Sequence, residues 1–161
     1  KRQIMILTIG RQVPIKNFEE IIEIMPQLKK KFKKKSRLWI ELEKYALWDL
    51  LDSLRVAERS NDRETASLLS FNLLSRAIDT YAKFLRVEIP GISKLKLFLT
   101  NEKFRKEYRF EEFPDKKFSL MFLRCLNNPK LKYIEGLVHY VWNKMGGFDI
   151  SKWNVRSKSC R

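Results

Sequence analysis

"NDRETASLLSFNLLSRAIDTYAKFL" (residues 61–85) repeats apolar side chains at Ala66, Leu69, Leu73, Ala77, Tyr81 and Phe84. Steps of three and four held over several turns put these residues on one face of an amphipathic α-helix. Asn61, with Glu64 three residues on, forms a capping-box start. "EIPGIS" (residues 88–93) brings Pro90 and Gly91 as a stop. A helix this long with one apolar face must lay that face on other helices, so the neighbouring segments should carry the same period.

They carry it. From about Ser36 to Ser60, Leu38, Leu42, Tyr45, Trp48 or Ala46, Leu50, Leu51 and Leu54 form a wide apolar surface, which predicts a helix central to a bundle. Further on, Ile92 to Leu99 reads as a short helix, and "NEKFRKEYRFEEFP" (residues 101–114) as helix or ordered loop. Asp115 caps "KKFSLMFLRCL", and Pro129 sits at the first turn of a last helix, "KLKYIEGLVHYVWNKMGG", closed by glycine. Before these, Asn17 and Glu20 open a helix with Phe18, Ile21, Ile22 and Met25 on one face, and Pro26 breaks it.

One segment has a different period. "QIMILTIG" (residues 3–10) is a β-branched apolar run ended by glycine, which predicts one strand or an extended arm. As the single good strand candidate, it needs a partner outside the chain, in a second copy, or on the helices. The expected architecture is therefore all-α, an up-and-down helical bundle with a short N-terminal strand or arm. Residues 1–15 form the arm, 16–153 the bundle and 154–161 a basic tail. A chain that opens on Lys1 is expected to be a piece of something longer.

Composition agrees with a folded single unit. The 161 residues are 44% hydrophobic and 33% charged, with only five Gly and five Pro, too few for an all-β protein built on tight turns. Cys125 and Cys160 form no CxxC and no disulfide framework, which suits a reducing cytoplasm. No apolar run is long enough to span a membrane, so no membrane partner is expected.

The formal net charge is +15, enough to attract polyanions over some distance. Its densest part is "KKKFKKKSR": Lys29, Lys30, Lys31, Lys33, Lys34, Lys35 and Arg37. Those seven are the candidate polyanion site. In a helix they would wrap most of the circumference, punctuated by Phe32, which favours diffuse electrostatics over a shaped pocket, though both readings stay open. The aromatics of "FRKEYRFEEF" are mixed with glutamates that repel phosphate.

Chemistry-bearing motifs are few. His139 is the single histidine, too isolated for a zinc site or a triad, and reads as a partly buried polar side chain. No Walker loop, GxGxxG or GxSxG is present, and no metal site is expected. Glu41 and Glu43 are the carboxylates best placed for acid–base work, against a simpler role in helix ion pairs with Lys44 or Arg55.

"ELEKYALWDLLDSL", "ASLLSFNLLSRAIDTYAKFL" and "YIEGLVHYVWNKMGGFDISKW" together resemble the C-terminal helical domain of bacterial nucleotidyltransferases of the kanamycin nucleotidyltransferase type, over roughly Phe18 to Trp153. The resemblance implies a missing N-terminal catalytic domain that binds magnesium and a nucleoside triphosphate; this chain has no Gly-Ser turn followed by paired acids. It implies that the helical domain binds an acceptor substrate or dimerises, with Tyr45 and Trp48 in the substrate pocket and a carboxylate base just before the tyrosine. Lys44 stands at that position, so Glu43 and Glu41 become the base candidates. The expected function is a helical substrate-binding or dimerisation domain of a nucleotidyltransferase-like protein, inactive alone, with a homodimer and an anionic acceptor or RNA as partners. The alternatives are a stand-alone basic helical module that binds nucleic acid and a protein–protein interaction module.

Overall fold

The computed structural model describes a backbone hairpin, residues 4–8 and 11–15, and a helical unit, residues 35–153. The expected helix over residues 17–25 and the run Lys29 to Lys34 lie outside the described residues, as does the basic tail.

In the hairpin, β1 (Ile4–Thr8) pairs antiparallel with β2 (Arg11–Ile15), Ile4 opposite Ile15 and Thr8 opposite Arg11. This corrects the expectation of a partner outside the chain, in a second copy or on the helices: β1 pairs with the next segment of the same chain. Sequence pattern misses β2 because Pro14, set opposite Met5, has no N–H for a ladder and demotes a strand on paper.

The helical unit is all-α among the described residues. Its elements are α1 (Arg37–Arg59), α2 (Arg63–Leu85), α3 (Leu95–Thr100), α4 (Glu102–Glu107), α5 (Lys116–Asn127) and α6 (Leu131–Lys144), with 3₁₀ turns at Ile92–Lys94 and Ile150–Lys152. α1 and α2 form the principal hairpin, and α6 packs on both as well as on α5. Short connections make successive long helices antiparallel, as an up-and-down bundle requires.

α1 starts where expected: Ser36 Oγ accepts from the Trp39 N–H at 3.1 Å. α2 does not. Its cap is Asp62, whose Oδ1 accepts from Thr65 N–H at 3.0 Å, while Asn61 has φ 56° and ends α1 instead. Asn61 N–H reaches the Glu58 carbonyl and Asp62 N–H the Ala57 carbonyl, the paired bonds of a Schellman ending. The same pair of bonds closes α2 at Arg86, α4 at Arg109 and α6 at Gly146. Asn tolerates the left-handed region, so one residue type signals both a cap and an ending. α6 begins one step later than predicted, with Pro129 outside the helix and Lys130 at its cap.

The core explains the periodicity. Leu47, Leu51 and Leu54 of α1 face Leu73, Ala77 and Ile78 of α2, and Ile134, Leu137, Val138 and Val141 of α6 close the layer. A second, aromatic part joins Tyr81, Phe98, Phe113, Phe118 and Phe122, with Tyr81 and Phe118 ring centroids 4.8 Å apart. Residues 101–114 are helix and then ordered segment: Phe113 is buried, and Arg105 donates to the Phe98 carbonyl at 2.8 Å, tying α4 to α3. Phe104, Phe110 and Phe113 of this stretch thus serve packing, whereas Tyr108 is more than half exposed.

α1 is not wrapped on all sides, contrary to the expectation of a central helix. Leu38 and Leu42 remain 54% and 46% exposed. At 3.6 residues per turn they lie on the side opposite Leu47, Leu51 and Leu54, and α2 and α6 cover only the latter side. His139 is also exposed, set edge-on against Trp142 at 5.0 Å, because it projects from the outer face of α6.

Candidate functional site

The predicted site residues that are described gather on the N-terminal half of α1. Glu41 and Glu43, two apart, leave the helix in different directions. Glu43 reaches α2, where Arg76 donates to its two oxygens at 2.8 and 3.0 Å and Thr80 Oγ1 donates at 2.8 Å. Its carboxylate is thus committed to joining the two long helices. Of the same-helix ion pairs expected, only Glu41 with Lys44 forms, at 3.0 Å; Arg55 instead holds Glu135 of α6 at 2.7 Å.

Lys44, which stands where the resemblance asks for a base, is buried with its ammonium on Glu41. Burying an ammonium is costly unless it is paired, so Glu41 is held in place by the charge it neutralises. Beside this pair is a polar recess of about 380 Å³, walled by Glu41, Lys44, Gly147, Asp149, Lys152 and Trp153.

Local chain chemistry builds the far wall. At the end of α6 Gly146 and Gly147 take φ 95° and 82°, a region glycine enters freely, and turn the chain back along α1. Phe148 then packs on Trp142 at 5.1 Å, and Trp153 stacks on Tyr45 at 4.3 Å. Two indoles fix this strap: Trp142 Nε1 donates to the Lys44 carbonyl at 3.2 Å and Trp153 Nε1 to the Glu41 carbonyl at 3.3 Å. Hydrogen bonds from Ser151, then Lys152, hold the Asp149 carboxyl below its ordinary value.

Tyr45 and Trp48 come together, 5.6 Å apart, and with Trp153 make an aromatic shelf at the edge of the recess. Of the basic run, Lys35 lies over the Trp39 ring at 5.2 Å and Arg37 is exposed; the other five lysines lie outside the described residues.

Sequence reasoning missed a second polar cluster. Asp115 caps α5 through Phe118 N–H at 2.9 Å and also accepts from Tyr81 Oη at 2.6 Å and Tyr140 Oη at 2.9 Å. Burial raises the Asp115 carboxyl, but bonds from Tyr81, Phe118 and Tyr140 outweigh it and leave it below the ordinary value. Burial and the bond to Asp115 raise the Tyr81 phenol well above its own. The cap signal was visible in sequence; the two phenols, from α2 and α6, were not.

Among the described residues no group of His, Cys, Asp and Glu is placed to hold a metal ion, and no helix is long and apolar enough to cross a membrane. Comparison of the chain with protein-family models, curated proteins and solved structures returns no match.

Proposed function

We propose that the helical unit is a non-catalytic dimerisation domain of a nucleotidyltransferase-like protein, working through the outward face of α1. One observation carries the reading: Leu38, Leu42 and Tyr45 form a stripe turned away from the core, with both leucines about half exposed. Charge runs along that stripe with opposite signs at its two ends. Lys35 and Arg37 lie at the start, Asp49 and Asp52 about three to five turns on, and neither aspartate has an ion pair among the described residues.

Such a gradient is self-complementary when two copies run antiparallel about a two-fold axis, which makes the same patch serve both partners. With Leu42 of one copy beside Tyr45 of the other, Lys35 meets Asp52, and Arg37 falls one residue from facing Asp49. The commitment of Glu41 to Lys44 and of Glu43 to Arg76 supports a binding role over a base role. The recess beside the aromatic shelf favours acceptor binding at the same end of α1 as a second reading. In that reading magnesium and nucleoside triphosphate belong to a catalytic domain of the parent protein.

The experiment is sedimentation velocity on the wild type and on Leu38→Glu/Leu42→Glu, with helix content followed by circular dichroism. A micromolar dimer that the double substitution converts to a helical monomer is the expected result. A monomeric wild type, or a dimer indifferent to both changes, refutes the reading.

A further inference from the structure

The charge that distinguishes the helical unit is concentrated on α5 and α6. Between Asp115 and Lys144 stand Lys116, Lys117, Arg124, Lys130, Lys132 and Lys144 against two acids, Asp115 and Glu135. Both acids are turned to internal work, Asp115 to Tyr81, Tyr140 and the α5 cap, and Glu135 to Arg55. Lys116 lies 4.0 Å from Glu112 and Lys144 4.0 Å from Asp115; Lys144 also lies over an aromatic ring and Lys116 does not, so Lys116 alone is set aside.

Of the remaining five cations, four, all but Lys130, are ordered on aromatic supports. Tyr133 and Tyr140 are seven residues apart on α6, two turns on one face. Arg124 lies over the Tyr133 ring at 3.9 Å with Lys132 at 5.2 Å, and Lys117 and Lys144 lie over Tyr140 at 5.4 Å each. Cation–π contacts restrict long side chains that would otherwise sample many rotamers, so less entropy is lost when they bind. All four cations are exposed. A hydrogen bond from Arg124, then the charges of Arg124, Lys132 and Lys130, draw the Tyr133 phenol below its ordinary value.

We infer that the α5–α6 face is a binding site for the phosphodiester backbone of nucleic acid, with Lys117, Arg124, Lys132 and Lys144 as the phosphate contacts. The two tyrosine supports are separated along α6 by about 10.5 Å, seven residues of helix rise. That is roughly the axial span of three nucleotides in one strand, at about 3.4 Å each. No donor set for reading base edges accompanies them, so sequence-independent contact is the expected mode. The site is separate from the outward face of α1 and stands whether or not that face dimerises.

The test is fluorescence anisotropy of the full chain with a labelled 12-nucleotide oligo-dT and a 12-base-pair duplex over a salt series. Three fourfold variants of equal charge change are compared: Lys117/Arg124/Lys132/Lys144→Gln, Lys94/Lys96/Lys103/Lys106→Gln and Lys30/Lys31/Lys33/Lys34→Gln. The first should lose affinity more than tenfold and flatten the salt dependence by about 0.7 per contact on the single strand. The second should stay within about threefold of wild type. Equal losses in the first two, or a loss confined to the third, overturns the site. So does binding to phosphatidylserine vesicles without binding to either oligonucleotide. Should the first variant melt below the assay temperature, Arg124→Gln and Lys132→Gln read the same site singly. Each should then cost at least twofold, and no effect from either counts against it.

Discussion

Replacing Asp115 should be among the most damaging single polar changes in the helical unit. Asp115→Ala removes the α5 cap, worth about 1 kcal/mol. It also strips the acceptor from Tyr81 Oη, on a residue only 1% exposed, and leaving a buried hydroxyl unpaired costs about 1–3 kcal/mol. Tyr140 is less buried and its hydroxyl turns to water at little cost, so the total is about 2–4 kcal/mol. Asp115→Asn keeps an effective cap and one carbonyl acceptor, and should cost about half as much. Because the carboxyl is held below its ordinary value in the folded state, its contribution is complete above the unfolded value of about 3.9. It disappears as pH falls through the lower, folded value. Urea unfolding at pH 7 and pH 3 reads both effects: wild type should lose part of its advantage over Asp115→Asn at the acid end. A pH 7 loss below about 1 kcal/mol for Asp115→Ala, or a gap between wild type and Asp115→Asn that ignores pH, refutes the network's role.

Arg86→Gly and Arg109→Gly, which replace left-handed residues at φ 61° and 56°, should each stabilise by about 0.5–1 kcal/mol in the same assay. A loss at either position contradicts the Schellman assignment. Gly146→Ala should do the reverse, by about 1 kcal/mol, since its Cβ meets open space and only φ 95° opposes it. The Cys125 thiol is buried and pushed up to about 11 by that burial, so in a Cys160→Ser background it should resist an aromatic disulfide reagent at pH 8 until urea unfolds the chain. Rapid reaction of the native protein is the contrary result.

Periodicity made the helices legible because it records which side of each one is dry. Leu73, Ala77 and Tyr81 were placed on the apolar face from spacing alone, Asp115 was recognisable as a cap, and Ser36 marked the start of α1. Asn61 and Asp62 were not separable, since adjacent polar residues between two helices can end one or start the next. α1 misled for another reason: its apolar residues occupy both sides, and composition does not tell a helix buried all round from one with a second, outward stripe. The site was only partly legible. Tyr45, Trp48 and Glu41 sit within two turns and could be grouped on sequence, whereas Trp153, Asp149 and the α5–α6 cations reach their places through long-range packing.

Self-association through antiparallel α1 helices is tested most directly by the distance between two copies. A spin label at exposed position 53, introduced as Ser53→Cys in a Cys160→Ser background, leaves Cys125 unlabelled in the core. Pairing Leu42 with Tyr45 centres the two-fold axis between residues 43 and 44, so the two labels sit nineteen residue rises apart, about 29 Å along the helix, or roughly 30 Å with the lateral separation. Double electron–electron resonance at micromolar protein should show a distance distribution centred there, and Leu38→Glu/Leu42→Glu should abolish it. Parallel helices would instead give a separation near 10 Å, the distance between packed helix axes. That short distance, or the absence of any intermolecular coupling in the wild type, contradicts the proposed dimer.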